Sequence, residues 1–281
     1  MSQTILITGC SSGIGWCAAQ TLHKKGYRVF ATARKDTDLE KLRAAGIESV
    51  QMDMEDAASI AAGLAQVLEK TGGTLDALFN NAGFAVPGAV EDLTLPMLRK
   101  QFETNVFGPI ELTNRVIPVM RKQGHGRIIM NTSILGIITM PYRGAYNASK
   151  FALEGFSNTL RQELHGTSIS VSIIAPGPVM THFRENANKN YQENLQDKSS
   201  IHKNAYLSME KNLSNMPKSE KMFTESPDKV IEKLLHALES KSPDSRYYVG
   251  VPAHLFAFLR RILPDAALDW VVALSLRGDQ T

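Results

Sequence analysis

The chain has 281 residues, 43% hydrophobic and 21% charged, enough apolar material for a sizeable core. Its 31 Lys and Arg against 28 Asp and Glu leave a net charge of +3 with no basic stripe, which argues against nucleic acid as a partner. No apolar run reaches the ~20 residues of a membrane span.

Short apolar runs alternate with helical patterns over the first two thirds of the chain. Residues 4–8 read as a strand and 14–25 as a helix stopped by Gly26. A strand at 28–32, a helix at 39–45, a strand at 49–52 and a helix at 57–70 follow. Residues 77–80 form a strand that runs into Asn80-Asn81-Ala82-Gly83. The stretch 96–122 reads as one long helix, bent at Pro109. Next come a strand at 127–132, a helix at 145–164, and a strand at 170–175 that stops at Pro176-Gly177. Beyond Thr181 the character changes: 184–223 is rich in Asn, Lys, Ser and Glu and reads as a partly helical surface excursion. Residues 228–239 regain a helical period, 246–250 look like a last strand, and 254–276 are strongly apolar. This alternation predicts an α/β fold, a doubly wound parallel sheet with helices on both faces, as a single domain over 1–281. Ligands of such sheets lie beyond the carboxyl ends of the strands, and every motif below falls there.

Thr8-Gly9-Cys10-Ser11-Ser12-Gly13-Ile14-Gly15 joins the first strand to the first helix. Glycines let the backbone turn tightly and approach a diphosphate, and the N–H groups and dipole of the helix start favour its charge. Gly9, Ser11, Ser12, Gly13, Ile14 and Gly15 are therefore candidate dinucleotide contacts, against the alternative of a purely structural turn. The second strand ends Ala31-Thr32-Ala33-Arg34-Lys35, with Ala33 where an NAD enzyme would carry a carboxylate for the ribose 2′-hydroxyl. Arg34 suits a 2′-phosphate instead, so the expected cofactor is NADP; the plain alternative is a solvated arginine at a strand end. Asp53 could accept from the adenine amino group or serve as the N-cap of the next helix.

Tyr146 and Lys150 are four residues apart on a predicted helix and face one way; Ser133 closes the preceding strand. A lysine ammonium should lower the phenol pKa from near ~10, making it an acid or base near neutral pH. Ser133 can then hold the substrate oxygen. Cys10 and Cys17 are no disulfide framework and read as packing residues in a reducing compartment. With no leader pattern ahead of the first strand, a cytoplasmic location is expected. The seven His residues show no ligand spacing, so no metal is expected.

Taken together, Thr8–Gly15, Asn80-Asn81-Ala82-Gly83, Asn105, Ser133, Tyr146, Lys150 and Pro176-Gly177 resemble the short-chain dehydrogenase/reductase family in residue type and order over roughly 3–181. The resemblance implies a Rossmann fold and a catalytic set of Ser133, Tyr146 and Lys150, with Asn105 kinking the long helix and holding a water near Lys150. It implies that Asn81 lies near the adenosine ribose, that Asn80 braces the sheet, and that Lys150 also binds the nicotinamide ribose. The Val179 backbone and the Thr181 hydroxyl would hold the carboxamide. Arg34 matches the NADP-preferring members, although Ser12 stands where many of those carry a basic residue. The C-terminal part is similar to the branch of aldehyde reductases and of retinol and hydroxysteroid dehydrogenases.

Phe84, Ile134, Leu135, Tyr142 and Pro178 are candidate walls for a lipophilic aldehyde, ketone or alcohol, or else core residues; 184–223 occupies the substrate-lid position. Residues 254–276 could pack on the domain, cover the pocket, contact a second subunit or touch a membrane peripherally. A homo-oligomer, dimer or tetramer, is implied on the two long helices. The leading expectation is an NADPH-dependent carbonyl reductase. The alternatives are an oxidative retinol or hydroxysteroid dehydrogenase and, outside enzymes, an NADP-binding sensor.

Overall fold

The computed structural model describes residues 2–194, 200–214 and 221–277. Strands β1 (Thr4–Ile7), β2 (Arg28–Ala33), β3 (Glu48–Gln51), β4 (Ala77–Asn80), β5 (Gly126–Asn131), β6 (Ile169–Pro176) and β7 (Arg246–Val249) form one sheet. Every pairing is parallel and the order is β3-β2-β1-β4-β5-β6-β7. Strand order reverses between β1 and β4, the place where sheets of this kind bind ligands beyond their carboxyl ends.

The sheet is buried on both faces because successive side chains of each strand point to opposite helical layers. On one face Ile5, Ile7, Val29, Ala31 and Phe79 pack with α1 (Gly13–Lys24), α2 (Asp36–Ala44) and α9 (Pro227–Glu239), through Leu22, Leu39, Leu42, Val230 and Leu234. On the other, Leu6, Phe30, Leu78, Ile128 and Met130 meet α3 (Ala57–Thr71), α5 (Gly108–Gln123) and α6 (Gly144–Glu163), through Ile60, Leu64, Leu112, Val116 and Leu153. Each such fully buried side chain contributes about 1.5–3 kcal/mol. The cap of α3 is Asp56, which accepts from the Ala58 N–H at 2.8 Å, so Asp53 is not the capping residue.

The stretch 96–122 is one continuous helical run that widens just ahead of Pro109. It divides into α4 (Leu95–Phe102) and α5, joined by a π turn at Glu103–Phe107. Pro109 follows the π turn directly, inside a continuous helical run, where its missing N–H withholds one helical bond. The wide turn is held by Asn105, whose fully buried side chain clasps the Phe84 backbone.

The 184–223 excursion contributes α7 (Phe183–Asn194) and α8 (Lys203–Ser214); its residues 195–199 and 215–220 lie outside the described residues. The apolar C-terminal stretch is two helices, α10 (Val251–Ile262) and α11 (Asp265–Arg277). They pack through Ala253, Phe256, Ala257, Leu268 and Val272 onto Ile134 and Ile138. Ile134, a candidate pocket wall from sequence, is thus part of a core.

Candidate active site

The turn between β1 and α1 is tight. Gly9 has φ +72°, and a Cβ on it would lie 2.8 Å from Ala82 Cα; a Cβ on Gly15 would lie 2.3 Å from the Gly9 carbonyl oxygen. Ser12 is the N-cap of α1 and its side chain makes no capping bond, so the N–H groups beside Ser11, Gly13 and Ile14 at the helix start remain donors for an anion. The loop after β6 comes against this turn: the place of a Gly13 Cβ is 3.1 Å from Thr181 Cβ. That loop is pinned by Gly177 N–H to Val249 O at 2.9 Å and Met180 N–H to Glu225 O at 2.9 Å, which fixes Val179 between them.

A line of hydrogen bonds runs from the turn to the helix carrying the tyrosine. Asn81 Nδ2 donates to the Thr8 carbonyl at 2.9 Å and the Gly9 carbonyl at 3.3 Å. Asn81 Oδ1 accepts from Asn131 Nδ2 at 3.0 Å, and the Asn131 carbonyl accepts from Lys150 Nζ at 2.9 Å. The Asn81 side chain therefore braces the turn with both polar ends. Asn80 ties β4 to α5 by donating to Thr113 Oγ1 at 2.9 Å.

Ala33 ends β2 and brings no carboxylate. Arg34 follows, largely exposed, and its guanidinium stands 3.6 Å from Glu55, which also accepts from Thr104 Oγ1 at 2.8 Å. Glu55 was not singled out from the sequence: nothing in its spacing marks it, and only the turn after β3 carries it to Arg34. Asp53 shapes that turn, accepting from the Glu55 N–H at 3.0 Å while its own N–H donates to Ser59 Oγ at 3.0 Å. A dinucleotide fits these residues: close-approach glycines, free helix-start donors and a guanidinium lie along the carboxyl ends of β1 and β2.

Ser133, Tyr146, Lys150 and Asn105 come together at the ends of β4 and β5. Tyr146 and Lys150 are 8% and 4% exposed, with Nζ 5.7 Å from the phenol ring centroid. A Cβ on Gly83 would lie 3.4 Å from Asn105 Oδ1 and 3.6 Å from Lys150 Nζ, so both polar ends converge there. Asn105 Nδ2 also donates to Ser149 Oγ at 3.1 Å. Ser133 Oγ accepts from the Leu135 N–H at 3.1 Å and pulls the pKa of the neighbouring phenol down.

One expectation is corrected here. The Tyr146 phenol is not made acidic by Lys150; burial pushes its pKa up to about 12, against the smaller pull of Ser133 and of the Arg143 charge. Burial also brings Lys150 down to about 8, opposed by the Glu154 carboxylate. The cause is the cover: Phe183 lies edge-on to the Tyr146 ring, centroids 5.4 Å apart, and Ala187 and Leu213 of α7 and α8 pack with Tyr146, Ala85 and Leu135. Phe84 and Tyr142 join a neighbouring cluster with Tyr191 and Tyr206 of the same two helices. Cys10, buried and pushed up to about 12, is a packing residue.

Residues 3–192 match the short chain dehydrogenase family. The chain belongs to that family. As a member it is an oxidoreductase acting on carbonyl or alcohol groups. It is 36% identical over 272 residues to the uncharacterized oxidoreductase YbbO of Escherichia coli K12, covering 97% of this chain and 94% of that one. It is 34% identical over 274 residues to the 3-ketodihydrosphingosine reductase of Bacteroides thetaiotaomicron, covering 97% of each. Family structures superpose over most of the chain. A short-chain dehydrogenase of Streptomyces avermitilis has TM-score 0.75 and 28% identity, covering 99% and 96% of the two chains. A Burkholderia phymatum member in complex with NAD has TM-score 0.77 at 23% identity, covering 92% of each. Actinorhodin polyketide ketoreductase with NADPH has TM-score 0.72 at 28% identity, covering 89% of this chain and 95% of that one. Among the described residues no group of His, Cys, Asp or Glu could hold a metal ion, and no helix is long and apolar enough to cross a membrane.

Proposed function

We propose that the protein uses NADPH to reduce a lipophilic aldehyde or ketone to the alcohol, reversibly, with Tyr146 as the general acid. The observation that carries this reading is the covered, proton-holding phenol of Tyr146 beside Lys150, joined through Asn131 and Asn81 to the glycine turn. A phenol set beside Ser133 and Lys150 can donate its proton to a carbonyl oxygen, the step that a reductase needs. Ser133 holds that oxygen and stabilises the charge developing on it. Lys150 offsets the negative charge left on the phenolate, and Asn105 keeps the 83–84 backbone and the π turn in place around Nζ. When bound, the nicotinamide supplies the hydride.

Lys150, Val179 and Thr181 would hold the nicotinamide half, the Gly9–Gly15 turn the diphosphate, Asp53 the adenine, and Asn81 the wall beside its ribose. Arg34, with Ala33 bare of charge, favours a 2′-phosphate. For the substrate, the apolar cover of Phe183, Leu135 and Leu213 supports a lipophilic carbonyl compound, in keeping with the 3-ketodihydrosphingosine for which one relative is named. In this reading α7 and α8 belong to the substrate lid of a cytoplasmic homo-oligomer, and 254–276 packs on the domain, with peripheral membrane contact through its exposed side as the alternative. NADPH consumption across aliphatic and aromatic aldehydes, ketosteroids and retinal, repeated with NADH, is the test. Turnover with NADPH on the apolar members is expected. Faster turnover with NADH would remove the cofactor assignment, and no turnover on any member would remove the reductase reading.

A further inference from the structure

We infer that Glu154 is a positioning residue for the reaction: from one helical turn beyond Lys150 it holds that side chain as an ammonium and ties the strand end bearing Ser133 to the helix bearing Tyr146. The inference rests on the proposed roles of Tyr146 and Lys150. Tyr146, Lys150 and Glu154 recur at four-residue intervals on α6 and so share one face. Glu154 is 5% exposed, and a carboxylate in such a place needs partners. It has them from two strands. Its Oε1 accepts from Thr132 Oγ1 at 2.7 Å, and its Oε2 accepts from the guanidinium of Arg246 on β7. A Cβ on Gly136 would lie 2.9 Å from Glu154 Cγ and 2.9 Å from the Lys150 carbonyl oxygen, so the acid is packed against the turn of helix that carries the lysine.

The surroundings of Lys150 give Glu154 its importance. From β5 the lysine meets the Asn131 carbonyl, and near Gly83 it meets Asn105. On its own helix it meets Tyr146 and, further along, the cation Arg143, which acts on the phenol. From β7 comes Arg246, a second cation standing behind Glu154. Burial drives the proton off Lys150, and the field of Glu154 opposes it. Burial pushes the Glu154 carboxyl up, and Arg246, Thr132 and Lys150 pull against that rise. Arg246 and Glu154 form an ion pair on the sheet side, and Lys150 lies one helical turn from it, toward the phenol. Thr132 precedes Ser133, so the same carboxylate also holds the strand end from which Ser133 projects.

The test titrates Lys150 by NMR in protein carrying 13C at the lysine ε position, with its resonance identified by loss in Lys150→Met. In Glu154→Gln the midpoint should fall by about one pH unit, since the acid is gone and Arg246 is left uncompensated. The alkaline limb of the turnover profile should fall with it. Glu154→Asp, which keeps the charge, should stay near the parent. Should Glu154→Gln fail to fold, the paired change Glu154→Leu with Arg246→Met removes both charges, an exchange buried ion pairs tolerate, and should also lower the midpoint. An unmoved Lys150 midpoint in either folded variant overturns the inference, even if stability falls. Undiminished turnover in Tyr146→Phe would instead overturn the catalytic reading and leave the NMR result to be judged by itself.

Discussion

Tyr146 holds its proton more firmly than a free tyrosine and Lys150 holds its own less firmly, and one cause, burial, drives both. Replacing the phenol with Phe keeps the ring packing against Phe183 but removes the proton donor. Turnover of Tyr146→Phe should fall by roughly 10²–10⁴-fold with little change in melting temperature. Lys150 carries a cost in stability. Its folded pKa of about 8 lies below the ordinary 10.5, so the folded state favours the neutral amine. That favour is complete above the unfolded pKa and is lost as pH falls through about 8. Lys150→Met should therefore be more stable than the parent at pH 7, by on the order of 1–3 kcal/mol, and inactive. The gain should shrink as pH rises from 8 to 10.5. Paired denaturation curves at pH 7 and pH 10 check this, and equal differences at both would contradict it.

Among the elements, the glycine turn and the widened helix show how local rules compete. A Gly15 side chain would meet the Gly9 carbonyl at 2.3 Å, backbone that cannot move without shifting β1 or the 80–83 segment. Gly15→Ala should cost about 1–3 kcal/mol and weaken NADPH binding at least tenfold by calorimetry; parent-like affinity would show that the turn takes no part in holding the cofactor. The turn was legible because glycine spacing between a strand and a helix has a local meaning. In the 96–122 helix Pro109 stands just past the π turn, and Asn105 within that turn bonds to Phe84, a partner remote in sequence. Asp53 looked like a cap, and the cap lies three residues on, at Asp56.

Over the whole molecule, the C-terminal helices present two faces. One covers Ile134 and Ile138, while Val251, Leu255, Phe258 and Ile262 form an exposed stripe along α10, joined by Trp270 and Leu274 of α11. Removing 251–281 should uncover the Ile134 cluster and lower the melting temperature or the soluble yield sharply. A truncated chain as stable and monodisperse as the parent would mean that these helices do not complete the core.

The alternation of strand and helix, the tight glycine turn and the candidate residues Ser133, Tyr146 and Lys150 were legible in the sequence alone, because period, backbone freedom and side-chain chemistry belong to a few neighbouring residues. Tertiary structure decided that the phenol is covered by Phe183 and Leu213, that Glu55 faces Arg34, and that Glu154 is clamped by Thr132 and Arg246. Burial and charge pairing join residues far apart in the chain, and they set the protonation of Tyr146 and Lys150 against the expectation drawn from spacing.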